Sequence, residues 1–300
     1  MSTVEETQVH ATIEELFDQR SWLERASIMA RKNPLGVFGG LVVLMMIIMA
    51  VFAPWLTPYS PESNAFEYML TPPGADFWLG TDQFGRDLLT RIIFGARTAL
   101  FVGFTAAFVG AFAGLILGVG SAYFGGKIDL IFQRIMDVFM AFPLIILALS
   151  VVAIFGTGTQ NVIIAITIPF IPRCARVVRS NALAIREIPY VDAARAMGFS
   201  HLRIIMRHMA PNVMAPFLIM LTAFVGQAIL LEASLSYLGL GVQEPTPAWG
   251  LMLQGGAEEY VESAPWVAVF PGLAITLAVF GFNLFGDAVR DTLDPRLRAQ

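Results

Sequence analysis

The sequence predicts an all-α polytopic membrane protein of six transmembrane helices, with both termini on the cytoplasmic side. Three observations carry this reading: an apolar composition, long runs without charge, and a lopsided distribution of cations. Hydrophobic residues make up 56% of the 300, before 26 glycines are counted, and charged residues only 14%. An ordinary soluble domain holds about 45–50% apolar residues with glycine included and about 25% charged. So few charges cannot cover so much apolar surface in water, which sets aside disorder, a secreted disulfide scaffold and a nucleic-acid partner. The single cysteine, Cys174, excludes an internal disulfide.

The spans follow in order. Residues 1–34 form a polar N-terminal segment, in which Ile13, Leu16, Phe17, Leu23, Ala26 and Met29 recur at roughly helical spacing among charges. That pattern suits a short helix at the inner interface or a solvated tail. Asn33-Pro34 ends it, and the first apolar run is long enough to stay as an anchor. From residue 35 to 300 the chain reads as one transmembrane domain. Leu35–Leu56, Thr98–Gly126, Met209–Leu231 and Ser263–Gly286 are free of ionisable groups over 22, 29, 23 and 24 residues. A span needs about 20. Val138–Pro172 is free over 35 residues, too many for one span, and Gly156-Thr157-Gly158-Thr159-Gln160-Asn161 marks a hairpin between two helices. Those helices are expected to extend into Asp129–Asp137 and Arg173–Ser180. The remaining pieces are an outer segment 57–97, a cytoplasmic loop 187–211 and an outer loop 236–265.

Sixteen of the 19 Lys and Arg residues fall in segments that are cytoplasmic if the N-terminus is, and only Arg86, Arg91 and Arg97 fall outside. The loop from Ser236 to Glu262 has no cation but carries Glu244, Glu258, Glu259 and Glu262. The positive-inside rule then sets N-in, C-in.

Little in the chain offers chemistry. Lys32 and Lys127 are the only lysines, and neither closes a phosphate-binding glycine loop. His10, His201 and His208 show no metal-ligand spacing with one another or with Cys174, so no metal or cofactor is expected in this chain. Asp137 and Glu232 are the acids nearest span interiors. Asp137 pairs most simply with Arg134 one turn before it; Glu232 reads equally as a pathway group or an anchor. Met140 and Met220 are candidate pathway linings, since methionine adapts to varied partners. An ion relay has too few groups, which makes an ion-coupled carrier the weaker alternative.

The loop between spans four and five is the most informative stretch. Pro189 and Asp192 favour a helix start, Ala193, Ala194 and Ala196 keep a surface thin, and Gly198 supplies a C-terminal cap. A second short helix follows, with Leu202, Ile204, Ile205 and Met209 among Arg203, Arg207 and His208, and Pro211 opens span five. The pair is too small to bury its own apolar side and suits a partner.

Asp192-Ala193-Ala194, Gly198 and Pro211 resemble the EAA loop of ABC importer permeases, with Asp in place of Glu. Two flanking stretches narrow the likeness: Trp78-Leu79-Gly80-Thr81-Asp82-Gln83-Phe84-Gly85-Arg86-Asp87, and Leu238-Gly239-Leu240-Gly241 through Pro245-Thr246-Pro247-Ala248-Trp249-Gly250. With Phe282-Asn283-Leu284-Phe285-Gly286-Asp287 near the end, the chain from Asn33 to Arg298 is similar to the "C" permeases of dipeptide/oligopeptide ABC importers. Read locally, Gly80-Thr81-Asp82 is a turn with an N-cap, and Arg86 with Asp87 a local charge pair.

The resemblance implies a type I importer permease in a bacterial inner membrane, without an ATPase site of its own. It implies a second, homologous permease, two cytoplasmic ATPases that bind ATP and Mg, and a periplasmic or lipid-anchored solute-binding protein, all amid membrane lipid. Asp192, Ala193, Ala194, Gly198, Arg203, Arg207 and Pro211 would then couple to an ATPase, and Thr81, Asp82, Gly85, Arg86 and Asp87 would face the binding protein. Relatives that carry nickel or glutathione share the same pattern.

Overall fold

The computed structural model describes residues 33–293; the expected interfacial helix in 1–34 and the last cations lie outside them. Among the described residues the chain is helical, with one isolated bridge, Thr81 to Asp87, in place of any sheet.

Helix α1 is Pro34–Leu56, with the proline in its first turn, where a missing N–H costs nothing. Helix α2 runs from Leu88 to Phe124, starting well before Thr98. The last ten residues of the expected outer segment 57–97, Arg91 and Arg97 among them, are thus already helical. Their charges hid this start from a search for apolar runs, yet each is satisfied by distant backbone or carboxylate oxygens.

The third span is broken. Helix α3 (Gly126–Met140) and helix α4 (Leu144–Phe155) meet at 89°, so the single helix expected through Asp129–Asp137 does not form. Pro143 has no N–H for the ladder and pushes Phe142 away from helical dihedrals. Twelve residues rise only about 18 Å, so α4 crosses the membrane only together with its bent partner. Among the described residues five helices are long and apolar enough to span alone, and six spans result when the bent pair counts as one. The hairpin at Gly156–Gly158 is where the sequence puts it: both glycines take positive φ, 88° and 116°, and α5 follows as Thr159–Arg186.

Two short helices, α6 (Pro189–Ala196) and α7 (His201–Ile204), connect through a π turn at Ile205–Met209 and a 3-10 turn at Ala210–Val213 to α8, Met214–Tyr237. Helix α9 (Trp249–Glu259) interrupts the loop after α8, and α10 is Trp266–Leu293.

The central seam is α2 on α5. Gly110, Gly114 and Gly118, one turn apart, let the backbones touch: a Cβ on Gly114 would lie 2.5 Å from the Cys174 Cβ and 2.9 Å from the Ala175 nitrogen. Small residues at such spacing are how helices approach where lipid offers no hydrophobic drive. Helix α1 packs on α10 the same way, with Gly36 against Ala288 and Gly39 against Gly281 and Phe285. Asn33 and Asp291 close their shared end with a 3.1 Å hydrogen bond. The opposite side of α2 leaves Phe101, Phe104, Phe108, Phe112 and Ile116 exposed, a surface suited to hydrocarbon rather than water.

Candidate functional site

Two assemblies stand at opposite ends of the spans. At the end where α2 begins, residues 57–87 fold back on themselves around a short 3-10 turn, Phe66–Tyr68, and the Thr81–Asp87 bridge. Ala65 N donates to Phe84 O, Leu70 N to Asp82 O and Leu88 N to Gly80 O, at 3.0, 3.1 and 3.0 Å. Gly85 is required here: its φ is +73°, and a Cβ would fall 1.8 Å from the Ala65 carbonyl oxygen. Thr81 is buried, donates to the Tyr68 carbonyl and accepts from Thr71 N.

Asp82 organises the turn. Its Oδ1 accepts from Phe84 N and Arg86 N, both at 2.9 Å, and its Oδ2 from Arg86 Nε at 2.7 Å. Arg86 then reaches Glu244, far along the chain, through Nη1 at 2.7 Å and Nη2 at 3.2 Å. The fully buried Arg91 joins from α2, with Nη2 3.4 Å from Glu244, Nε 3.6 Å from Asp82 and Nη1 donating to Pro61 O at 2.8 Å. Two cations thus meet two carboxylates. Burial works against the charge on Arg86, but Glu244 and Asp82 more than offset it and hold its pKa above the usual arginine value.

The local reading of this motif needs correction. Arg86 pairs with Asp82 and Glu244 rather than Asp87, because Asp87 is the N-cap of α2, accepting from Thr90 N at 2.8 Å and Thr90 Oγ1 at 2.5 Å. The cap of α2 is thus Asp87, outside Gly80-Thr81-Asp82. Glu244 and Arg91 escaped sequence reasoning, since nothing local links residues some 150 apart. The acidic, cation-free loop was the only hint. Beside the network lies a cleft of about 530 Å³, lined in part by Phe66, Phe84, Glu244, Gln254, Glu259 and Tyr260.

At the other end, α6 and α7 form a knuckle. Asp192 sits in the first turn of α6, and Gly198 turns the chain with φ +76° where no atom would obstruct a side chain. Glycine is demanded there by conformation alone. Ser200 caps α7 by accepting from Arg203 N. The knuckle does bury part of its apolar side within its own chain: Val191, Ala194, Ile204 and Met209 are enclosed. The bundle beneath it supplies cover that a view of the loop alone omits. Outward remain Ala193 and Ala196, with Met197, Leu202 and Met206 exposed at 66%, 70% and 63%. Arg195 bonds Asp192 at 2.8 Å, Arg203 lies over the Phe199 ring, and Arg207 is exposed. Pro211 falls in the 3-10 turn before α8 rather than in α8 itself. The knuckle is tied to the end of α2 by the 2.7 Å Tyr123 Oη–His201 Nδ1 contact and by Arg195 over the Tyr123 ring.

The four pathway candidates do not converge: among the described residues they share no hydrogen bond or ion pair. Asp137 is 3.7 Å from Arg134, but its shorter partner is Arg176 on α5, at 2.5 Å. Met140 ends α3 and Met220 packs partly buried against the core. Glu232 is 1% exposed and accepts from Ser236 Oγ at 2.7 Å, while that oxygen accepts from Val242 N. It holds the exit from α8. Among the described residues no cluster of His, Cys, Asp and Glu could bind a metal.

The apolar helices thus carry a folded cap at one end and a half-exposed knuckle at the other. Residues 110–299 match the family described as the binding-protein-dependent transport system inner membrane component, and residues 21–73 match the N-terminal transmembrane domain of oligopeptide transport permease C. The chain belongs to this family of ABC importer permeases, multi-pass proteins of the bacterial inner membrane. It is 44% identical to the dipeptide transport system permease protein DppC of Alkalihalophilus pseudofirmus over 269 residues, 90% of this chain and 88% of that one. It is 43% identical to the glutathione transport system permease protein GsiD of Escherichia coli over 270 residues, 89% and 88% of the two chains. The methionine ABC transporter MetNI, in inward-facing conformations, shares the fold with a TM-score of 0.55 at 22% identity, over 68% of this chain and 96% of that one.

Proposed function

We propose that this chain is the permease subunit of a peptide importer, one half of a conduit driven by ATP hydrolysis on other subunits. The family and the dipeptide and glutathione permeases among its relatives support peptide as cargo. In this reading a homologous permease completes the conduit, two cytoplasmic ATPases bind ATP and Mg, and an external solute-binding protein delivers the peptide. The cation asymmetry argues for N-in, C-in, with the knuckle in the cytoplasm and the segment around Thr81, Asp82, Gly85, Arg86 and Asp87 facing the binding protein.

The observation that carries the coupling role is the exposed apolar trio Met197, Leu202 and Met206, flanked by Asp192, Arg203 and Arg207, on a knuckle whose other side is anchored in the bundle. Apolar anchors ringed by charge are what a docking surface needs. Ala193 and Ala196 let a partner backbone come close, and Gly198 and Pro211 fix the angle between the two short helices and α8.

The test is uptake by the four-subunit complex in proteoliposomes, supplied with its binding protein. Leu202→Glu should leave the two permeases paired while ATP-driven peptide uptake falls at least roughly tenfold, the loss of about 1.4 kcal/mol or more at the docking surface. Normal uptake by that variant would refute the docking role, and uptake sustained by an ion gradient without ATP would refute the whole reading.

A further inference from the structure

Along α5, Arg173, Arg176 and Arg179 recur every third residue and make one slowly turning stripe. Two of the three are neutralised. Arg176 meets Asp137 at 2.5 Å, and Arg179 grips Asp129 through bonds of 2.6 and 2.5 Å. Arg173 is not. Its polar partner among the described residues is the neutral amide of Gln227 on α8, Nη1 to Oε1 at 3.3 Å.

The two helices are fixed where this happens. Phe170 and Phe224 stack face to face at 4.3 Å and 15°, each one turn from the polar residue on its own helix. The Arg173 side chain leans toward the start of α5, as helical geometry requires, and so reaches back past the stack to Gln227. Yet the pair is only half-buried. Gln227 lies on a face of α8 with Ala223, Leu230 and Ser234 at positions i, i+4, i+7 and i+11, and neither Ala223 nor Leu230 is covered by the chain's own core. Fourteen residues into α5 is about 21 Å from its start, within an apolar slab of about 30 Å. Arg173, which the sequence groups with the cytoplasmic cations, thus lies inside the span, while Arg176 and Arg179 lead out of it. A cation facing lipid at that depth, with no acid beside it, costs about 2.5–3.5 kcal/mol or more. In a subunit that walls half a conduit, the face that relieves this cost is the conduit itself.

We infer that Arg173, steadied by Gln227, is a carboxylate-receiving station on the conduit wall that takes the C-terminal carboxylate of the passing peptide. This rests on the peptide-import reading above and names the part of the cargo that is read. A guanidinium has five donors, and Gln227 uses one. The remaining fork matches a carboxylate in bidentate geometry. Every linear peptide with a free C-terminus presents that group, so a station that reads it leaves the side chains unread. A neutral partner orients the cation without occupying it, and a single station holds its guest weakly enough to release it.

The test uses the reconstituted complex with binding protein loaded with a mixed tripeptide library, as free acids or as C-terminal amides, and import read by mass spectrometry. The wild type should import acids faster than amides once loading is matched. Arg173→Gln should slow the acids about tenfold, the worth of one charge-assisted contact, and leave the amides unchanged; Arg173→Lys should recover part of the loss. Gln227→Glu, which fills the station internally while keeping the cation, should erase the same preference. Equal slowing of acids and amides, or no change in either, would overturn the inference. Failure of Arg173→Gln to assemble, with an unaltered acid-to-amide ratio in Gln227→Glu, would assign the cation to the contact with the second permease instead. A wild-type complex that moves neither kind of peptide would overturn the import reading and the station with it.

Discussion

Three donors converge on the Asp82 carboxylate, two of them backbone amides and one the Arg86 guanidinium, and a second cation, Arg91, stands at 3.6 Å with no water-facing atom. Removing one partner of a buried ion pair leaves the other charged and stranded, at about 3–5 kcal/mol. Asp82→Ala is therefore expected to loosen residues 57–87 and lower the thermal midpoint of the purified protein, with early proteolytic nicking of that segment. Asp87→Asn should cost little by comparison, since an asparagine oxygen still caps α2. Comparing the two variants in one thermal proteolysis series checks the ranking; equal effects would mean the network contributes no more than a cap.

Elements announce themselves unevenly in the sequence. The hairpin between α4 and α5 was legible, because Gly156 and Gly158 punctuate an overlong apolar run and little else suits positive φ. The start of α2 was not, because Arg91 is neutralised by a glutamate that only the folded chain brings near. The break between α3 and α4 had a local cause in Pro143, yet the run of apolar residues across it masked the bend. Coupling residues could be listed from their spacing, but which of them face inward depends on the bundle: Ala194 is buried while Ala193 and Ala196 are open. Glycines divide in the same way. Gly120 has open space around it, whereas Gly114 is pressed against α5. Gly114→Val should part the α2–α5 seam at a cost of about 1–3 kcal/mol or more, seen as a lower folded yield of a fluorescent fusion in membranes. Gly120→Ala should match the wild type in the same assay, and a tolerated Gly114→Val would show the seam to be soft.

At the scale of the whole molecule, the proposed orientation makes opposite claims for the two ends. In a background with Cys174 replaced by serine, Leu202→Cys should react with an impermeant maleimide only in inside-out vesicles, and Trp78→Cys only in right-side-out ones. Both wild-type side chains are open, 70% and 73% exposed. The reverse pattern would invert the topology drawn from the cations.

The cap formed by residues 57–87 and the loop and helix after α8 is held from several directions. The Trp266 indole on α10 donates to Thr81 O, Arg91 on α2 to Pro61 O, and Arg86 to Glu244 beyond α8, while Trp249 of α9 bonds Ile92 O and Thr98 of α2 bonds Pro247 O. Held at so many points, this cap cannot shift without the starts of α2, α9 and α10 shifting with it. Under the proposed function, a tilt of those helices would be felt by the external binding protein through leverage alone.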